Sequence, residues 1–492
     1  MKHVGIRVLA LSFAIVGGGA CSESTPDPLS NDGGASTALT PSSACSDTVD
    51  SIYADPGALP SDAASRGNIL RCAKDKALTK DEMQAKIASL GYTGKLTSGA
   101  QTYRVSFRTE RGNAANTPGV SSAMVYIPDT PRAAKLPVVV AGRGSRGQAP
   151  QCAASKLDAS LENDGVNEDY YRLAYGLAGN GYAVIVPDLA GYANFGAANN
   201  PPSAYAQAAD VAKSTLDGGR ALKKLFPALD DKVVLVGHSQ GGHSVLAALA
   251  YADTYGTAAP IVGVAAYAPL WLSQRSWGAL LYRPVAKQLG YTIASGSLAA
   301  IDVWYHYTQA ELLDGPGEGA KLFAADKRAA IKQFVDTTCW GAAYPALTSQ
   351  GTYIDELFDP AFVSEVGLSS TQEGNPCAPG TVCEKWLARY SADRPHLTGK
   401  ATATPILIAY GGNDTTIPPD RMKCGLDRLA QDNAQRTVCF EPDLTHNTIV
   451  SGKADYVAEW IASVALGGAA PAACAQNDSA ITVACATPPP ND

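Results

Sequence analysis

The residue with the clearest chemical potential is Ser239, which sits in Val233-Val-Leu-Val-Gly-His-Ser-Gln-Gly-Gly242. A run of aliphatic residues ends in Gly237-His-Ser-Gln-Gly241, and an alanine- and leucine-rich segment, Ser244 to Tyr251, follows at once. The pattern predicts strand, sharp turn and helix, the G-x-S-x-G elbow that holds a serine hydroxyl clear of the backbone. So tight a turn requires residues without side chains two before and two after the serine, and Gly237 and Gly241 meet that need. The following helix directs its partial positive charge at any oxyanion that forms beside the serine. The competing interpretation, a glycine-rich phosphate or packing turn, lacks the Walker lysine.

A serine nucleophile needs a general base and a group that orients the base. Behind such an elbow the chain order is serine, acid, histidine. Asp414 lies in Gly411-Gly-Asn-Asp-Thr-Thr-Ile-Pro-Pro419, directly after the apolar run Pro405 to Tyr410. The alternative role for Asp414 is an Asx turn that caps its loop. His446 lies in Asp443-Leu-Thr-His446-Asn and is the one histidine after Asp414. His238 is inside the elbow, where its ring is badly placed to take the hydroxyl proton. His243 precedes the acid, and His306 and His396 are expected in packing or surface roles. The expected chemistry is therefore acyl transfer: His446 takes the Ser239 proton, Ser239 attacks a carbonyl, and water releases the acyl-enzyme. Backbone N–H groups of Gln240 and of the loop Gly142-Arg-Gly-Ser-Arg-Gly147 are expected to hold the oxyanion. Arg143 and Arg146 of that loop are expected to meet a carboxylate or to face water.

The elements that must position these residues alternate between strand and helix. Helices are expected at Thr79–Leu90, Tyr171–Asn180 and Ala204–Lys224, and strands at Tyr103–Phe107, Ala123–Ile127, Pro137–Ala141, Tyr182–Pro187, Ile261–Pro269, Pro405–Tyr410 and Arg436–Phe440. The acidic run from Glu162 to Asp169 does not fit calcium-loop spacing and is expected to be a solvated loop. From Trp271 to about Lys400 the rhythm changes to short helical segments, with five of the six tryptophans: Trp271, Trp277, Trp304, Trp340 and Trp386. This block, residues 271–399, is expected to be an inserted cap. The core is then expected over 76–270 and 400–466, with a flexible tether at 22–75 and a small C-terminal tail at 467–492.

Composition limits the setting. The chain has 492 residues, a net charge of −7 and only 17% charged residues. With no basic stripe, a nucleic-acid partner is not expected. Lys2 and Arg7, an apolar stretch from Val8 to Val16 and Gly17-Gly-Gly-Ala-Cys21 fit an export signal over residues 1–21. A cysteine after Gly-Ala resembles a bacterial lipoprotein signal with Cys21 as the lipidated residue. Gly18 stands where leucine is usual, so free secretion is the alternative. Removing Cys21 from the eleven cysteines leaves an even number, suited to disulfides outside the cytoplasm. Near-neighbour pairs Cys377–Cys383, Cys424–Cys439 and Cys474–Cys485 are expected, with Cys45–Cys72 a weaker one. The six histidines do not cluster with cysteines, so neither a metal nor another cofactor is expected.

Several stretches together resemble the secretory lipases, the α/β-hydrolase family of the yeast lipase A type. They are Pro137 to Ser145, Ala149-Pro-Gln-Cys-Ala-Ala-Ser155, Gly181 to Asp188, Gly237 to His243, and Gly411-Gly-Asn-Asp414 with Thr445-His446. The resemblance implies an α/β fold, an α/β-hydrolase with an inserted helical cap, and cleavage of fatty-acid esters. It implies Ser239, Asp414 and His446 as the triad, with the loop amides Gly144 and Ser145 near the oxyanion beside Gln240. Arg143 stands where the family usually has a histidine. The expected protein is thus an extracytoplasmic ester hydrolase, a lipase or carboxylesterase acting on a small-molecule ester or lipid. The alternatives are a serine peptidase or amidase of the same fold, or a catalytically silent binding module.

Overall fold

In a computed structural model of the protein, the structure describes residues 39–156, 168–193, 201–271, 276–295, 298–372 and 376–477, with 479 and 481. The expected export signal with Cys21, most of the acidic run and Cys485 lie outside the described residues.

Nine strands form one sheet: β1 (Ile69–Leu78), β2 (Ala100–Glu110), β3 (Pro118–Pro128), β4 (Val138–Gly142), β5 (Val184–Ala190), β6 (Val233–His238), β7 (Ile261–Tyr267), β8 (Ile406–Gly411) and β9 (Arg436–Glu441). Their spatial order is β1-β2-β3-β5-β4-β6-β7-β8-β9. β1, β2, β3 and β5 pair antiparallel, and every pair from β5 onward to β9 is parallel. The parallel strands β4 and β6 are buried throughout, which is why they read as continuous aliphatic runs rather than alternating ones.

Helices α1 (Lys80–Ser89), α2 (Glu168–Gly179), α3 (Ala208–Leu225) and α4 (Gln240–Tyr255) belong to the first part of the chain. Helix α1 begins at the expected Thr79, which forms a capping box with Glu82. Among the described residues between β7 and β8 there are eight α-helices: α5 (Ser276–Leu280), α6 (Arg283–Gln288), α7 (Leu298–Leu313), α8 (Glu318–Lys321), α9 (Arg328–Thr337), α10 (Trp340–Thr348), α11 (Pro360–Phe362) and α12 (Val382–Asp393). Its aromatics form a core of their own. Trp304 stacks on Phe334 at 5.3 Å, Trp277 stacks on Tyr305 at 5.3 Å, and Trp386 is buried beside Phe362. After β8 follow α13 (Pro419–Gln431), α14 (Thr448–Gly452) and α15 (Ala454–Ile461).

The structure departs from the expectations at the chain's edges. Residues 69–75, placed in the flexible tether, belong to edge strand β1, and the Cys45–Cys72 disulfide fastens the segment before it. Arg71, Lys74, Asp75 and Lys76 interrupt the apolar residues of this edge strand, which hides it from a hydrophobic pattern. Cys377–Cys383 forms as expected. Cys424–Cys439 and Cys474–Cys485 do not, because Cys439 on β9 bonds Cys474. That bond, with the Phe440 N–H donating to the Gln476 carbonyl at 3.1 Å, lays the start of the tail along the sheet's other edge. Cys424 is engaged in a different disulfide. Cys152–Cys339, joining residues 187 apart, was not foreseen.

Candidate active site

The elbow takes its shape from close backbone approach. Ser239 itself adopts the left-handed conformation, φ 56° and ψ −121°, between β6 and α4. Such an angle in a non-glycine residue carries strain that the surrounding structure must hold. The Ser239 N–H donates to the Tyr267 carbonyl at 3.0 Å, and its own carbonyl accepts from the N–H groups of His243 and Leu270. The flanking glycines are needed for space rather than for unusual angles, since neither has a positive φ. A Cβ on Gly237 would lie 2.2 Å from the Gly241 carbonyl oxygen, and one on Gly241 would lie 2.0 Å from that of Gly142. Gly242 has the same constraint against Pro269, at 2.7 Å.

Register puts the two loops side by side. Gly142 at the end of β4 pairs with Gly237 at the end of β6. Asp414 follows β8 and His446 follows β9, the two strands beyond β7 on that side of the sheet. His446 Nδ1 lies 2.7 Å from Asp414 Oδ2. Asp414 Oδ1 accepts from the N–H groups of Thr416 and Ile417, both at 2.8 Å. One carboxylate oxygen of Asp414 therefore faces His446 while the other caps the turn of its own loop.

Burial lowers the His446 pKa below the ordinary histidine value, the Asp414 hydrogen bond opposes this, and nearby His238 lowers it further. His446 remains 13% exposed, so its ring is reachable. The other histidines are occupied. His243 is buried against the Asp393 carbonyl at 2.7 Å, and burial brings its pKa down to about 4. His306 bonds the Tyr390 hydroxyl inside the inserted helices, and His396 pairs with Asp432 at the surface.

The loop from Gly142 to Gly147 is held by charge. Arg143 is buried, donates to the carbonyls of Gly144 and Asp188 at 2.9 and 2.7 Å, and lies over the Tyr192 ring. Arg146 is buried as well and donates to Asp169 Oδ1 at 2.8 Å. Neither faces water. The Gly144 N–H, expected near the oxyanion, instead donates to Asp169 Oδ2 at 3.0 Å. This leaves Ser145, half-buried with its hydroxyl 2.7 Å from that of Tyr205, as the loop amide next in line beside Gln240, the first residue of α4.

Asp169 is the site residue that the sequence reading missed. The acidic run was expected to be solvated, yet Asp169 is buried in the first turn of α2. Burial works against its charge, but Arg146, His238 and the Gly144 amide hold its pKa below the usual carboxylate range. Its signal was concealed, since Arg146 and His238 come from distant positions in the chain.

The inserted helices reach this loop. The Trp340 N–H donates to the Arg146 carbonyl at 2.9 Å, and Cys339 bonds Cys152. An apolar cavity of about 50 Å³ opens between the end of β7 and the loop after β8, lined in part by Leu270, Trp271, Trp277, Leu280 and Ile417.

A strained serine elbow after a central parallel strand, with an Asp–His pair on the loops after the last two strands, is the arrangement of an α/β-hydrolase. The model of the Alpha/beta hydrolase family matches residues 165–460, more than half of the chain, and the protein belongs to that family. Candida antarctica lipase A in its closed state superposes with a TM-score of 0.58 at 18% identity, covering 85% of this chain and 87% of that one. The rice cell wall degrading esterase LipA from Xanthomonas oryzae gives a TM-score of 0.58 at 17% identity, covering 82% of this chain and 100% of that one. At such identities the likeness is one of fold. No curated protein matches the chain.

Proposed function

We propose that the protein is a serine ester hydrolase, a lipase or carboxylesterase, that acts through Ser239, His446 and Asp414. The observation that carries this is the 2.7 Å contact of His446 with Asp414, made against the residue next to the strained Ser239, since the His446 and His238 rings are 4.7 Å apart. His446 removes the hydroxyl proton, and Asp414 orients the ring and stabilises the imidazolium that results. The amides of Gln240 and Ser145 receive the oxyanion, and water then releases the acyl group from Ser239. The apolar cavity beside the Asp414 loop supports an ester with an apolar substituent. Residues 271–399 serve as a cap over the site. The disulfides favour an extracytoplasmic location, with the chain exported by its N-terminal segment and either anchored at Cys21 or released.

The test is initial hydrolysis rates across p-nitrophenyl esters from acetyl to palmitoyl, for the wild type and Ser239→Ala. Cleavage of long chains with an inactive alanine variant supports a lipase, and a short-chain optimum a carboxylesterase. Absence of ester cleavage, or an alanine variant as active as the wild type, refutes the assignment.

A further inference from the structure

Among the described residues, the elbow histidine has two acceptors and no donor to receive from. His238 Nε2 is 2.8 Å from the carbonyl oxygen of His446, which can only accept. His238 Nδ1 is 3.4 Å from Asp169 Oδ2. The other partners of that carboxylate are donors, Arg146 on one oxygen and the Gly144 N–H on the other, so Asp169 is ionised and offers no proton. A neutral imidazole would have to point one nitrogen lone pair at an acceptor. A doubly protonated ring satisfies both contacts.

We infer that His238 is an imidazolium paired with the Asp169 carboxylate, and that this buried ion pair is a positioning device that ties the oxyanion loop to the loop carrying His446. The chain of contacts runs from the Gly144 amide to Asp169, from Asp169 to His238, and from His238 to the His446 backbone. One end holds the amide before Ser145 in place, and the other holds the main chain of the base. The space is closely fitted, as a Cβ on Gly144 would lie 2.5 Å from Asp169 Oδ2. A charged pair without access to water is costly unless its remaining valences are filled, and here Arg146 and two backbone groups fill them. Neither residue touches the reacting atoms in this scheme; both act on groups that do.

The positioning role rests on the proposed triad, but the protonation state does not, so the two are tested separately. The charged groups that bear on the two rings are Asp414, Asp169 and, through Asp169, Arg146. First, ¹⁵N imidazole NMR of the wild-type protein, with His238 assigned by its loss in His238→Gln, reads the ring directly. Two protonated nitrogens near neutral pH are expected, and a singly protonated His238 overturns the inference whatever the enzyme hydrolyses. Second, Asp169→Asn is expected to lower kcat roughly ten- to a hundredfold with little change in KM, because it loosens the reacting geometry rather than the substrate pocket. Third, His238→Gln keeps a donor for the His446 carbonyl but removes the positive charge. His446 then accepts a proton more readily, so the acidic limb of kcat/KM moves to higher pH. An unchanged kcat in Asp169→Asn, or an acidic limb that stays in place or moves down, overturns the positioning role. If Asp169→Asn does not fold, the NMR result and the His238→Gln profile decide. If the wild type cleaves no ester, the ester assignment fails and the NMR result still stands.

Discussion

Replacing Asp414 with asparagine tests the triad with the least disturbance of packing. The carboxylate makes three contacts, and two of them are to one oxygen. Oδ1 accepts from the Thr416 and Ile417 N–H groups, so an asparagine must place its carbonyl oxygen there to avoid opposing two donors. Its NH2 group then faces His446 Nδ1 across the 2.7 Å contact. An amide in that orientation donates, which forces the His446 proton onto Nε2, the nitrogen that must be free to take the Ser239 proton. The lost imidazolium support adds to the wrong tautomer. A change of this kind costs about 10⁴ in kcat, equivalent to about 5.4 kcal/mol of barrier at roughly 1.36 kcal/mol per tenfold. The backbone contacts survive, so the melting temperature is expected to stay within a few degrees of the wild type. Steady-state hydrolysis of a p-nitrophenyl ester, with melting followed by circular dichroism, supplies both numbers. A folded Asp414→Asn enzyme with kcat within about tenfold of the wild type would refute the reasoning, since His446 would then be oriented by something else.

Three further outcomes are expected. His446 must be neutral to act as base, and because burial and His238 both lower its pKa, kcat/KM should persist below the ordinary histidine value of 6.5 as pH falls; a pH profile whose acidic limb lies above that value contradicts it. Gly241→Ala should yield little folded, active protein, because its Cβ would sit 2.0 Å from the Gly142 carbonyl oxygen and 2.6 Å from that of Arg143; soluble yield and specific activity measure this, and a normally active alanine enzyme is the contrary result. Cys152→Ser should lower stability by about 2–4 kcal/mol, the usual cost of a long-range disulfide, and should also depress activity because the bond holds α10 against the oxyanion loop; denaturant melts without any midpoint shift speak against the contribution.

Much of the site was legible in the order of the residues. The elbow is a local signal, since the aliphatic run, the glycines and the helix that follows are contiguous. Asp414 and His446 could be picked out because each follows an apolar strand-forming run, and a parallel sheet delivers such loops to one edge. Burial on both faces makes central strands such as β4, β6 and β8 almost purely apolar, so their spacing survives in the sequence, whereas edge strand β9 carries only the short apolar run Val438-Cys-Phe440. Edge strand β1 was lost for the opposite reason, as charged residues interrupt its apolar pattern, Lys74 and Lys76 facing solvent while Asp75 pairs with Arg104. Of the disulfide pairs expected from proximity along the chain, Cys377–Cys383 and Cys45–Cys72 form, whereas Cys439 on β9 is taken by Cys474 of the tail laid beside it.

By itself, the sequence determined the α/β character and the strand-turn-helix around Ser239, because each depends on residues within a few positions of one another, and it offered Asp414 and His446 as candidates because each follows a strand-forming run. Only the tertiary structure decided that the Gly144 amide is given to Asp169, that Arg143 and Arg146 are buried, and that Asp169 and His238 form one unit with the His446 loop. Those facts join residues from β4, α2, β6 and the loop after β9. Charge identity along the chain cannot show whether a carboxylate faces water or three buried donors. That choice is made by the packing of distant elements, where the loss of water makes each remaining partner indispensable.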